Sequence, residues 1–137
     1  MSTEPTEPFQ WTHFLTTARQ LSQSQDEGSL RSAVSRAYYA AFHDARCYLE
    51  ESKRTTDGGS EHEKVWRAFG KSTDKREFRQ IWNWATRLRD ARIDADYRLD
   101  PKQNWRAQAD VHIDSAQKMS MWLPLKLLEQ VPGNLAG

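Results

Sequence analysis

The stretch LRSAVSRAYYAAFHDARCYL, residues 30–49, leaves this chain few ways to fold. Leu30, Ala33, Val34, Ala37, Tyr38, Ala41, Ala45, Tyr48 and Leu49 recur at three- and four-residue steps, the period at which an α-helix presents one face. That stripe is the core side of a long helix. Arg36, Tyr39, His43 and Arg46 keep the same stepping beside it, so two guanidinium groups, a phenol and an imidazole share one flank. Both chemistry and scaffolding fit such a flank.

The remaining periodicity predicts further helices. From Pro8 to about Ser22, Trp11, Phe14, Leu15, Ala18 and Leu21 step as one face. The polar run SQSQDEGS then reads as a turn, with Asp26 or Ser29 available to cap the long second helix, which extends to about Ser52. KRTTDGGS breaks the pattern, and Ser60 with Glu63 makes a capping box for a short third helix carrying Val65, Trp66 and Phe69 and ending at Gly70. Asp74 is the expected N-cap of a fourth helix, in which Phe78, Ile81, Trp82, Ala85, Leu88 and Ala95 keep the spacing to about Tyr97. Asp100-Pro101 reads as the start of a fifth, with Trp105, Ala109, His112, Ile113, Ala116, Met119 and Leu123 inward. Pro124 then implies either a kinked continuation or a separate turn over Leu125–Gln130. With no strand pattern, the expectation is an all-α antiparallel bundle of four to five helices, two long and central and the third short. It forms one domain over residues 8–130, between a disordered lead-in at 1–7 and a frayed tail at 131–137.

Composition narrows the functional classes. Charged residues make up 28% of 137 residues but sum to a formal +1, so no global field draws the chain to nucleic acid or an anionic membrane, and such contact needs a local patch. One cysteine, Cys47, rules out an intramolecular disulfide or a thiolate metal cage within the chain, and its expected role is a buried helix thiol. The start is polar and acidic, unlike a secretory signal, and no segment is long and apolar enough to span a bilayer, so a soluble cytoplasmic protein is expected. Six tryptophans let a polar chain, with mean hydropathy −0.90, hold a core.

Three segments in this order, SRAYYAAFHDAR (35–46), EHEKVWRAF (61–69) and RLRDARIDADY (87–97), together resemble the HEPN superfamily of small helical-bundle proteins. The likeness is to its stand-alone prokaryotic branch, with an S-R-x-Y-Y-A-x-F-H signature and a downstream R-x-x-A-D-Y. WRAQADVHIDSAQKM resembles the closing helix, and the likeness spans about Phe9 to Leu128. It implies a homodimer in a toxin–antitoxin or defence setting that acts on or binds RNA or a nucleotide. Many members are metal-independent endoribonucleases in which an R-x(4–6)-H motif from each of two protomers meets at the dimer interface. Others bind nucleotides or protein partners without cutting, and a minimal nucleotidyltransferase is a frequent partner. No cofactor or metal is implied.

Arg36 and His43 satisfy that motif with six residues between them. Two helical turns leave both on one face about 10 Å apart along the axis, able to approach one phosphate from two sides. They are the expected catalytic pair, with Tyr39, Arg89, Arg92, Asp96 and Tyr97 as substrate-binding residues. In nuclease branches the motif usually lies on the later helix, where Ala95 here stands in place of the histidine. The scaffolding alternative has Arg36, Tyr39 and His43 in a network joining the second and fourth helices through Asp94 or Asp96. Among the other histidines, His62 reads as a solvated first-turn residue and His13 and His112 as core residues. EHEK lacks the H-E-x-x-H spacing of a zinc site. Lys75, Arg76, Arg79, Arg87, Arg89 and Arg92 make the fourth helix basic, interleaved with Phe78, Trp82 and Trp84, a composition suited to phosphates and bases. Trp84 falls off the apolar stripe and, if exposed, marks an interface with a second copy.

Overall fold

The computed structural model describes residues 8–51, 61–70, 76–99 and 102–136. Among these residues are five helices: α1 His13–Ser22, α2 Glu27–Glu51, α3 Glu61–Gly70, α4 Arg76–Tyr97 and α5 Trp105–Ala136. The expected lead-in at 1–7, the KRTTDGGS turn with Ser60 of the capping box, Lys75, the Asp74 cap and the Asp100-Pro101 start lie outside the described residues.

The stripe on α2 is the centre of the molecule. Ala33, Val34, Ala37, Tyr38, Ala41 and Ala45 are fully enclosed, and α2 packs against each of the other four helices. Its five enclosed alanines, Ala40 included, allow the surrounding helices to come close, while Phe69, Phe78, Ile81, Leu88, Met119 and Leu123 fill the space between them. Residue contacts fix the directions. Arg31 near the start of α2 meets the end of α4, and Tyr48 near its end meets Phe78 near the start of α4, so these two helices are antiparallel. Arg31 also lies over Trp105, the first residue of α5, so α2 and α5 run parallel. The chain-adjacent pairs α1–α2 and α4–α5 are antiparallel, as short connections dictate.

Local chemistry sets the ends. Asp26 caps α2, its Oδ2 accepting the Ser29 N–H at 3.0 Å. Asn104 caps α5, its Oδ1 accepting the Ala107 N–H at 3.0 Å, and the helix begins at Trp105. At Pro124, where either a kinked continuation or a separate turn is expected, α5 continues as one helix. α1 begins at His13, later than the expected Pro8, because residues 8–12 form a strap whose aromatic rings fold back over the helix start. Phe9 packs edge-on against Trp11 at 5.0 Å and Phe14 at 5.7 Å.

Candidate functional site

The polar flank of α2 divides between two sets of neighbours. Arg36 and His43 turn toward the strap and α1, whereas Tyr38 and Tyr39 face α3 and α4. His43 is half-buried and lies flat against the Trp11 indole, ring centroids 3.6 Å apart at 15°. Arg46 directs Nε and a terminal nitrogen at His43 Nδ1 from 3.4 and 3.3 Å and pairs with Glu50 at 2.8 Å. A guanidinium only donates, so Nδ1 accepts and the neutral ring carries its proton on Nε2. Burial first, then Arg46, His62 and Arg36, holds the imidazole below its ordinary 6.5, so the ring is neutral at pH 7.

Arg36 makes cation–π contacts with Phe14 at 4.7 Å and Tyr39 at 5.2 Å. The scaffolding alternative is corrected here: Arg36 does not supply the link between α2 and α4. That link comes from Ser35, whose Oγ donates to Asp96 Oδ2 at 3.2 Å, and from Arg31, whose Nη1 donates to the carbonyls of Asp94, Ala95 and Arg98 at 3.4, 3.1 and 2.6 Å. Residues 31 and 35 are one turn apart and face α4; position 36 is rotated about 100° away from them, toward α1.

His62 also departs from expectation. It is half-buried, not solvated, with Nδ1 2.6 Å from the Tyr38 hydroxyl and its ring stacked on Phe42 at 4.1 Å. Tyr38, fully enclosed, is the reason: a buried phenol needs partners, and α3 brings it His62 together with the Trp66 indole N–H at 3.0 Å. A phenol on the core stripe followed by a histidine in the first turn of the next helix was the available signal.

The α4 residues sort by helical position. Arg92 is mostly covered, with its guanidinium carbon 5.2 Å from the Tyr38 ring and 5.7 Å from that of Tyr39, and it reaches Asp96 at 3.7 Å. Arg89 is exposed and close enough to act electrostatically on Tyr38 and His62. Tyr97 is exposed at the helix end. Ala95 is buried, its carbonyl held by Arg31, so this position belongs to the core. Trp84, expected as the surface marker, is half-buried and edge-on to Trp122 of α5 at 5.0 Å; it is Trp82 that faces outward. His112 is buried, bonded to Gln108 at 3.0 Å, and Cys47 is half-buried with burial raising its thiol. Among the described residues no group of three His, Cys, Asp or Glu is placed to hold a metal, and no helix is long and apolar enough to cross a membrane.

Brought together, then, are Arg36, Tyr39, His43 and Arg92, with Asp96 engaged by Arg92 and Ser35; Tyr97 stands apart at the end of α4. Neither a curated protein nor a solved structure matches the chain. A family model described as HEPN domain matches residues 12–126, which takes in α1 to α4, α5 as far as residue 126, and both His43 and His62: the chain belongs to the HEPN family.

Proposed function

We propose that this HEPN module binds RNA or a nucleotide through phosphate, in a toxin–antitoxin or defence setting, along the edge formed by the α2 flank and α4. The observation that carries the reading is the Arg46 guanidinium set against His43 Nδ1 at 3.4 and 3.3 Å. With Nδ1 occupied by Arg46, the imidazole offers its surroundings a donor, Nε2–H. Arg36 lies on the same flank, Tyr39 connects it to Arg92, and Arg89 adds exposed charge one turn along α4. Cations and N–H donors side by side complement phosphate oxygens. Asp96 keeps Arg92 oriented, and Tyr97, exposed at the end of α4, is assigned to substrate binding by the resemblance alone. The test is fluorescence anisotropy with single-stranded RNA in excess chelator. Binding should persist and should weaken severalfold in Arg36→Gln and in Arg89→Gln; RNA that fails to bind, or binds all variants equally, overturns the reading.

A second reading, metal-independent endoribonuclease, is favoured by the neutral state of His43 at pH 7. If Arg46 releases Nδ1, a neutral imidazole accepts the ribose 2′-hydroxyl proton as that oxygen attacks phosphorus, the bond to the 5′-oxygen breaks with the imidazolium returning the proton to it, and Arg36 stabilises the charge developing on the phosphate. It predicts chelator-resistant cleavage that His43→Ala abolishes. In both readings the chain acts in the cytoplasm as a homodimer, checked by light scattering, and a minimal nucleotidyltransferase is a candidate partner, checked by co-purification.

A further inference from the structure

Tyr38 cannot leave its hydroxyl unpaired, because the residue is fully enclosed. The Trp66 indole N–H, a donor only, takes one lone pair at 3.0 Å. The phenolic proton then goes to His62 Nδ1 at 2.6 Å, which makes that nitrogen an acceptor and puts the ring proton on Nε2. Phe42, stacked at 4.1 Å, and Tyr39, edge-on at 5.8 Å, fix the ring in this orientation. Burial first, then Arg92 and Arg89, lowers its pKa from 6.5 against the opposing charge of Glu61.

Arg92 shares the Tyr38 and Tyr39 rings with His62, and exposed Arg89 lies one helical turn from Arg92 on the same side of α4. Arg92 lies over two phenol rings, reaches Asp96 only at 3.7 Å, and has a buried Nε without a hydrogen-bond partner among the described residues. A rigid N–H donor beside two guanidinium groups is complemented by an anion with several acceptor oxygens. Phe42 stands between the two imidazoles, stacked on His62 and 5.1 Å edge-on from His43, so the rings address different groups of a ligand.

We infer that His62, Arg92 and Arg89 form a second anion site, which takes a phosphate group from an RNA strand or a free nucleotide. The inference rests on the proposed phosphate-binding role and extends it to a residue outside the R-x6-H pair. Tyr38 is a positioning residue, acting through His62.

The test is ¹H–¹⁵N NMR of the histidine side chains in the full-length protein at constant ionic strength. His43→Gln and His62→Gln assign the signals. The probes are inorganic phosphate, a nucleoside 5′-monophosphate, and a dinucleoside monophosphate whose only phosphate is a diester. His62 Nε2–H should shift saturably, with about fivefold weaker affinity in the exposed variant Arg89→Gln. Tyr38→Phe should allow both His62 tautomers to appear in the ring ¹⁵N shifts and should weaken phosphate binding. A response to the monophosphate but not the diester assigns a free nucleotide, and the reverse assigns RNA. Shifts confined to His43 overturn the second site and leave phosphate binding on the α2 flank standing. No shift at either ring overturns both, and a His62 shift undiminished by Arg89→Gln overturns the assignment of the arginine.

Discussion

Replacing Trp11 with alanine perturbs fold and site together. The indole covers one face of His43 at 3.6 Å, packs edge-on to Phe9 and Phe14 at 5.0 and 5.5 Å, and has the Arg46 guanidinium 5.8 Å from its ring. Truncating a fully buried tryptophan costs about 3–5 kcal/mol; Trp11 is half-buried, which scales the loss to about 2 kcal/mol. For a chain of this length that lowers Tm by about 8 °C. Burial is the largest cause of the lowered His43 pKa, so exposing the ring should raise it toward 6.5, with Arg46 and Arg36 still holding it slightly below. The sign for stability follows. A lowered pKa in the folded state means the unfolded chain binds the proton more readily, so this contribution is complete above about 6.5 and is lost as pH falls through the folded value. Trp11→Ala should therefore cost less at pH 5.5 than at pH 7.5. Thermal melts at both pH values, an NMR titration of His43, and a double-mutant cycle with His43→Ala provide the assay. Coupling of about 0.5–1.5 kcal/mol is expected for the stacked pair. Zero coupling with an unchanged His43 pKa would refute the stack as the cause.

Ala95→His, which restores the family histidine in sequence, should cost about 1–3 kcal/mol in urea denaturation and confer no RNA cleavage, because the side chain points into the core. Arg31→Met should cost about 2 kcal/mol by leaving the carbonyls of Asp94, Ala95 and Arg98 without their shared donor, and hydrogen exchange should accelerate at the Arg98 N–H, which bonds to the Asp94 carbonyl. Asn104→Ala should cost about 1 kcal/mol through the lost α5 cap. His43, His62 and His112 all have lowered pKa values, so wild-type Tm should fall as pH drops from 7.5 to 5.5, a trend opposite in sign to that of charge-stabilised imidazoles.

The architecture was legible because α2 announces it: nine apolar positions at helical spacing leave only a bundle around them. Boundaries were less so. Residues 8–12 share the apolar spacing of α1, yet Phe9 and Trp11 satisfy it by folding back as a strap, a tertiary outcome that periodicity does not encode. Asn104 caps α5 through a side-chain bond three residues on that apolar spacing does not reveal. At the site, the flank of Arg36, Tyr39 and His43 was visible, but its direction was not. One residue of rotation separates Ser35, facing Asp96, from Arg36, facing Phe14. His62 reads as solvated because glutamates flank it in sequence, whereas in space a buried phenol claims it. Trp84 looked like a surface marker for the matching reason: its partner Trp122 lies on another helix.

The salt dependence of affinity for single-stranded RNA, measured in chelator, tests the phosphate-binding role most directly. Engagement by Arg36, Arg89 and Arg92 predicts a log–log slope of about −2, at about −0.7 for each phosphate neutralised, reduced by about 0.7 in Arg89→Gln. Binding that disappears with the metal, or a slope near zero that the arginine substitution leaves unchanged, would contradict it.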